Sequence, residues 1–282
     1  MLAALRLMRA PNLAVSFLGT LVAGLVAAGR GVSIVPGSWL LLGLAAASTL
    51  LVTAAGNVLN DLGDQESDRV NHPERPLVTG EISPRGARRL TVGLFVGAGA
   101  VAVPVVLQEP LVAVLLAVAI LTVVGYEFWW KAKGFVGNLS VALLTGLVFL
   151  YGGAALGAPA LLAPFAGMAF LATLSREIIK DMEDARGDVD RSTLPRERGF
   201  PYATRVARAT VGAAIVLSAL PLFWFVRLGS VEGLAYAGLV AVADATFVVS
   251  VVYLPERLRF EQTVSKAAMT AALFAFVAVA FR

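Results

Sequence analysis

The chain has 282 residues and a net charge of +4; 58% of it is hydrophobic, only 15% is charged, and the mean hydropathy is +0.81. Globular chains carry about 25% charge because a soluble surface must be largely polar, so this composition excludes a water-soluble fold. The absence of cysteine excludes disulfides, thiol catalysis and Cys-ligated metals, and the single histidine, His72, argues against a His-based metal centre.

Nine apolar stretches follow one another near 12–29, 39–60, 88–107, 110–128, 136–157, 160–178, 205–226, 231–253 and 265–281. Each approaches the ~17–25 residues that a spanning helix needs. They are apolar all round and rich in Ala, Gly, Leu and Val, as suits helices packed closely in lipid; porin-type strands alternate every second residue. The expected fold is an all-α integral membrane protein, one domain over 1–282 with nine transmembrane helices in a bundle. The first run lacks a polar cleavage region and opens an even series of similar runs, which argues against a cleaved signal peptide. Of the 23 Lys and Arg residues, 20 fall on the segments that share a side with the N-terminus and 3 on the other. The positive-inside rule then predicts a cytoplasmic N-terminus and an outside C-terminus. The pI of 9.7 reports this orientation in the bilayer and no nucleic-acid partner. Trp39, Trp129, Trp130 and Trp224 fall at span ends, as an interfacial aromatic belt places them.

Two inward segments, 57–86 and 175–204, concentrate the carboxylates: six of the 19 lie at 61–81 and seven at 177–197. Asp61, Asp64 and Asp68 stand at i, i+3 and i+7, within about 60° of one helix face, and Asn57 shares that arc. Asp181, Asp184 and Asp188 repeat the spacing with Glu177 in the place of Asn57, every position offset by 120 residues. This predicts a pseudo-repeat of about 120 residues, each half bearing a polar stripe from a span end into a cytoplasmic loop. A solvated helix end would pair such acids with nearby Arg and Lys. That reading fits less well here, because like charges one turn apart repel and the pattern occurs twice on one side. Oxygen donors without His or Cys point to a hard divalent cation, most naturally Mg²⁺. Mg²⁺ binds through a few carboxylates plus phosphate oxygens, so two facing clusters suggest a diphosphate held through two metal ions. Lys131, Lys133, Arg69, Arg75, Arg176, Lys180 and Arg186 stand near the acids, either as phosphate contacts or as plain positive-inside residues.

These residues resemble the UbiA superfamily of intramembrane prenyltransferases over essentially the whole chain. Its first motif, N-D-x-x-D-x-x-x-D, stands as Asn60-Asp61-Leu-Gly-Asp64-Gln-Glu-Ser-Asp68, followed by Arg75-Pro76-Leu77 and Gly80. Its second stands as Asp181, Asp184 and Asp188, followed by Thr193-Leu194-Pro195. A Tyr-to-Lys motif looks like Tyr126 to Lys131, and Arg9 before Pro11 is similar to an arginine opening the family's first helix. The run 175–188 and Gly137-Asn138 look most like the archaeal digeranylgeranylglyceryl phosphate synthase branch. That resemblance implies Mg²⁺-dependent transfer of a geranylgeranyl group from its diphosphate to a lipid-phosphate acceptor, geranylgeranylglyceryl phosphate. It further implies a multi-pass protein of the plasma membrane with its site facing the cytoplasm.

Under this reading Asp61, Asp64 and Asp68 hold one Mg²⁺ and Asp181, Asp184 and Asp188 the other, with Asp64 and Asp184 central to catalysis. Lys131, supported by Arg69 or Arg75, contacts the diphosphate. Asn57 and Asn60 coordinate metal, orient phosphate oxygens or cap a helix end. Tyr126 either faces the allylic cation with its ring or belongs to the interfacial belt. Arg9, Lys133 or Arg176 holds the acceptor's phosphate, and Asn138 belongs to the substrate site. Asp244, inside span 8, is either a helix–helix hydrogen-bonding residue or a polar lining of the cavity; Glu127 is read as a solvated interfacial acid. The alternatives are an aromatic prenyltransferase of quinone or haem synthesis and, in another class, an ion or organic-anion transporter. Transporters place their sites near the midplane between broken helices, whereas these acids sit at a span end. A CDP-alcohol phosphotransferase would need Gly after its second Asp, where Gln65 stands.

Overall fold

The computed structural model describes residues 2–32, 34–185, 192–224 and 229–280. Among them there is no strand, and nine helices are long and apolar enough to cross a membrane. They are α1 (Ala10–Gly29), α2 (Ser38–Gly63), α3 (Pro84–Val106), α4 (Leu111–Gly125, carried on to Trp130 by a π-helical turn so that the span is Leu111–Trp130), α5 (Phe135–Ala154), α6 (Ala163–Asp184), α7 (Phe200–Ser218), α8 (Val231–Val252) and α9 (Leu258–Ala280). Prolines open α1, α3, α6 and α7, where the missing N–H would be unpaired anyway. Ser83 and Ser230 cap α3 and α8, each accepting a backbone N–H three residues on at 3.1 Å.

Three helices begin earlier than hydropathy places them. α3 opens at Pro84, α7 at Phe200 and α9 at Leu258, each one to two turns before its apolar window, because the first turns carry polar residues: Arg85 in α3, Tyr202 and Thr204 in α7, and Arg259, Glu261 and Gln262 in α9. Arg208 of α7 has a structural task. It donates to the carbonyls of Val251, Val252 and Leu254 at 3.0–3.2 Å and so caps the C-terminal end of α8.

Helices consecutive along the chain pack side by side, and α1 closes the bundle by touching both α5 and α9. α5 and α6 are the most buried spans, whereas α3 and α4 lie at the periphery. Lipid is as apolar as leucine, so close packing and hydrogen bonds between helices hold such a bundle together. Tyr151 on α5 donates to Ser48 on α2 at 3.1 Å, and Ser48 donates to the Ala98 carbonyl of α3 at 3.0 Å. Phe276 on α9 meets Phe149 and Phe165 edge-on, at centroid distances of 5.5 and 4.8 Å. Where α1 crosses α5, a Cβ on Gly152 would run into the Thr20 carbonyl and the Ala23 methyl.

That crossing generates a prediction. Gly152→Leu forces α1 away from α5 and should destabilise the protein by about 1–3 kcal/mol, the usual cost of overpacking. Gly93→Leu, at an exposed position with open space around its Cα, should leave stability unchanged. Thermal unfolding in detergent distinguishes the two; equal midpoints would mean that the crossing tolerates separation.

Candidate functional site

The polar residues of the sequence gather at one end of the bundle. The N-terminal ends of α1 and α5 and the C-terminal ends of α2, α4 and α6 meet there, linked by Arg9 to Asp61, Lys131 to Asp64 and Asn138 to Asp181. A cavity of about 1000 Å³ reaches from this end into the bundle. Its polar part carries Asn57, Asn60, Asp64, Lys131, Arg176 and Glu177; its apolar depth is lined by Leu116, Phe149, Met168, Phe247 and Phe276.

The first aspartate motif does not form a single stripe. α2 ends at Gly63, the chain bends at Asp64, and a short helix, Gln65–Asn71, sets off anew. The bend brings Asp61 and Asp68 together around Arg75, whose Nη1 donates to Asp61 Oδ1 at 3.1 Å and closely to Asp68 Oδ2. Arg9 closes on Asp61 from the other side and also reaches Asn60 Oδ1 at 3.3 Å. Arg9 holds a left-handed backbone, φ 57°, between the short helix Leu2–Met8 and α1. Such a conformation costs of order 1 kcal/mol in a non-glycine residue. Asp61 and Asp68 are buried, 2% and 4% exposed, and they do not line the cavity.

Asp64 is the aspartate of this motif that faces the cavity. It accepts from Lys131 Nζ at 2.6 Å. The same ammonium reaches Glu127 Oε1 at 2.9 Å, and Glu127 Oε2 accepts from Asn60 Nδ2 at 3.2 Å. Glu127 is therefore no solvated interfacial acid: its side chain is 8% exposed and sits in the cavity wall. The local backbone explains this. Tyr126–Trp130 forms a π-helical turn closed by the Lys131 N–H to the Tyr126 carbonyl at 2.8 Å. Such turns rotate side chains off the α-helical register and recur at functional sites. Gly63 leaves the room, since a Cβ there would collide with the Glu127 carboxylate. The Glu127–Lys131 spacing is the signal in the sequence that points to the pair.

On the second motif, Asp181 is buried and accepts from Asn138 Nδ2 at 2.7 Å. Beside it a small pocket is lined by Tyr126, Lys131, Asn138, Glu177, Lys180 and Thr193, which joins the two halves of the site. Glu177 accepts from Arg176 at 2.7 Å and lies 3.9 Å from Lys180. Asp184, the last residue of α6, is exposed and does not line the cavity; Asp188 and Arg186 lie outside the described residues. Two expected phosphate contacts are not brought in. Arg69, one residue on from buried Asp68 and so about 100° round the helix, points outward, and Lys133 stands exposed beyond the end of the π-helical turn. Asn57 lines the cavity while its Nδ2 donates to the Met8 carbonyl at 2.7 Å, which joins the entry of α1 to α2. Asp244 also lines the cavity and accepts from Ser218 at 2.7 Å, so it is both a helix–helix hydrogen-bonding residue and a polar lining.

Outside the spans, Arg6 donates to Glu81 and holds its carboxyl below the usual range, with the Thr79 hydroxyl assisting. A carboxylate lowered in this way supports the docking of Leu2–Met8 above the ordinary value of 4.5, and that support fades as pH falls through its folded pKa.

The donor set suits a hard divalent cation, being all oxygen, anionic and concentrated at facing helix ends. Among the described residues no three carboxylates converge on one point; Asp61, Asp64 and Asp68 are held by cations and Asp181 by an amide instead. This is compatible with Mg²⁺, which keeps several waters and takes one or two carboxylates alongside phosphate oxygens.

The sequence pattern of the UbiA prenyltransferase family matches residues 16–272. A digeranylgeranylglyceryl phosphate synthase of Halobacterium salinarum is 39% identical over 210 residues, 74% of this chain and 72% of that protein. One of Methanoculleus marisnigri is 37% identical over 244 residues, 85% of this chain and 82% of that protein. A solved structure of a digeranylgeranylglyceryl phosphate synthase superposes with a TM-score of 0.82 at 26% identity, covering 99% of this chain and 97% of that one. A UbiA homolog from Archaeoglobus fulgidus, bound to GPP and Mg²⁺, shares the fold with a TM-score of 0.66 at 17% identity, covering 97% and 99%.

The Arg75 clamp can be tested by itself. Arg75→Leu leaves Asp68 buried without its cation, and breaking a buried pair costs about 3–5 kcal/mol. Because the Arg75 side chain is 21% exposed, a loss near the lower end is expected in detergent unfolding. Adding Asp68→Asn should recover part of it; a single variant that melts with the parent would remove the clamp from the account.

Proposed function

The chain belongs to the UbiA prenyltransferase family, and on that premise we propose that it transfers a geranylgeranyl group from its diphosphate to the glycerol hydroxyl of geranylgeranylglyceryl phosphate. The observation that carries the reading is the cavity, which joins a ring of carboxylates and cations to a long apolar interior. A C20 allylic diphosphate needs both, a charged seat for its head and a dry channel for its tail. The glycerol acceptor is favoured over an aromatic one by the relatives, 37–39% identical and named for that synthesis.

The reaction breaks the bond between C1 of the prenyl chain and the diphosphate oxygen and forms an ether bond from C1 to the glycerol oxygen. Bound divalent ions would neutralise the leaving diphosphate and polarise its bridging oxygen. We assign Asp64, with Asp61 and Asp68 behind it, to one ion, and Asp181, with Asp184 and Asp188, to the other; Asn60 and Glu177 are further oxygen donors at the same wall. Lys131 and Arg75 sit where negative charge develops on the departing diphosphate and stabilise it without reorganising. Tyr126 borders the cavity, and its ring is assigned to stabilising the allylic cation by a cation–π contact. Attack on a carbocation needs only a weak base, so the hydroxyl proton passes to released diphosphate or to a second-motif carboxylate. The apolar depth keeps water, the competing nucleophile, from the cation.

The same reading makes the chain one domain, with its N-terminus and catalytic end in the cytoplasm and its spans in the plasma membrane, in line with the one-sided distribution of Lys and Arg. It also makes the halves copies. Asn57 and Glu177 both line the cavity, and Asp61 and Asp181 are both buried and both accept from a neighbouring element.

Purified protein given geranylgeranyl diphosphate, geranylgeranylglyceryl phosphate and Mg²⁺ should yield the digeranylgeranyl ether by mass spectrometry, and EDTA should abolish it. Asp64→Asn and Asp184→Asn should each lower kcat/KM by about 10²–10³-fold, as losses of transition-state charge stabilisation do. Full activity in both variants would remove the two-ion scheme, and product from 4-hydroxybenzoate alone would move the protein to quinone synthesis.

A further inference from the structure

Lys131 is held by two carboxylates that the proposed reaction uses differently. Its Nζ donates to Asp64 Oδ1 at 2.6 Å and to Glu127 Oε1 at 2.9 Å, and among the described residues no other carboxylate lies within ion-pair distance of it. The reaction gives Asp64 to a divalent ion and Lys131 to the diphosphate. An ion and an ammonium on one carboxylate are like charges in contact, so they compete for Asp64. The Lys131 side chain is only 12% exposed, and an ammonium so enclosed needs a second anion once the first is taken.

Glu127 is placed to be that anion. Its Oε1 takes Lys131, and its Oε2 accepts from Asn60 Nδ2 at 3.2 Å, while Asn60 Oδ1 accepts from Arg9 at 3.3 Å. Both oxygens of Glu127 are thus given to the wall itself. The position is built by the backbone: the π-helical turn Tyr126–Trp130 carries the side chain inward, and the missing Cβ of Gly63 leaves space for the carboxylate. The acids of the facing helix do not substitute for it. Glu177 is taken by Arg176 and lies 3.9 Å from Lys180, and Asp181 accepts from Asn138.

We propose that Glu127 is a positioning residue of the transfer: it keeps the Lys131 ammonium beside the diphosphate when the divalent ion takes Asp64, and so leaves Asp64 to that ion. The inference deepens the function proposed above and rests on it. As a pair, Glu127 and Lys131 are neutral, and the negative charge of Asp64 remains for the ion. Without the Glu127 charge, Lys131 rests on Asp64 alone, and an arriving ion has to displace it.

Mn²⁺, standing in for Mg²⁺, is titrated into the full chain in detergent without substrate and followed by electron paramagnetic resonance. The binding step lost in Asp64→Asn is the one that belongs to this wall. Glu127→Gln keeps an oxygen for Asn60 and removes the charge that holds Lys131; it should weaken that step about tenfold, the scale of one lost charge-assisted contact. Adding Lys131→Met removes the competing ammonium, and the double variant should bind Mn²⁺ as the parent does. At saturating Mg²⁺, Glu127→Gln should lower kcat/KM for the donor about tenfold in the parent and cost nothing further in Lys131→Met, the non-additivity of a residue that acts through another. Unchanged Mn²⁺ binding in Glu127→Gln would overturn the role. So would a double variant as weak as the single, which would make Glu127 a ligand of the ion or a support of the fold. A parent that binds Mn²⁺ through Asp64 but transfers to no glycerol lipid would overturn the acceptor assignment and leave the Mn²⁺ result for Glu127 standing. A parent whose Mn²⁺ binding is indifferent to Asp64→Asn would overturn the ion scheme and this role together.

Discussion

A carboxylate buried at the end of a membrane helix must meet a cation or a hydrogen-bond donor, because the low dielectric that makes its pairing strong makes its isolation prohibitive. Arg75 satisfies that constraint for Asp61 and Asp68 at once, and much of the polar end follows from the arrangement. The chain has to bend at Asp64 for Asp68 to come round to the same guanidinium. The bend leaves Asp64 turned toward the cavity, where Lys131 meets it. Arg9 is drawn to the same cluster, and its left-handed backbone is the strain that the ion pair offsets.

The pairing also sets the electrostatics of the cavity before any substrate enters. Arg75 and Lys131 are already held in place, so under the proposed reaction no side-chain search precedes their meeting the departing diphosphate. Fixed charges of this kind act more strongly in a site shielded from water than in solution. The carboxylates that hold the cations are also the oxygen donors suited to a divalent ion, so one cluster serves structure and chemistry together.

How much of this was legible in the sequence depends on the physics behind each feature. The nine spans follow from a bilayer thickness that sets helix length, and hydropathy finds them to within a turn or two. The differences fall at the starts of α3, α7 and α9, where polar first turns, such as Arg259, Glu261 and Gln262 in α9, extend the helix ahead of its apolar window. Spacing identified the aspartates, since a 3.6-residue period places them on one face, but it assumed a continuous helix and missed the break at Asp64. Glu127 was misread for a related reason: the π-helical turn shifts its side chain from the position an α-helix would give it. Asn57 to Met8 and Asn138 to Asp181 are contacts across tens of residues, and no local pattern encodes them. Arg69 and Lys133 show the converse, that closeness in sequence to an acid does not bring a cation into the cavity.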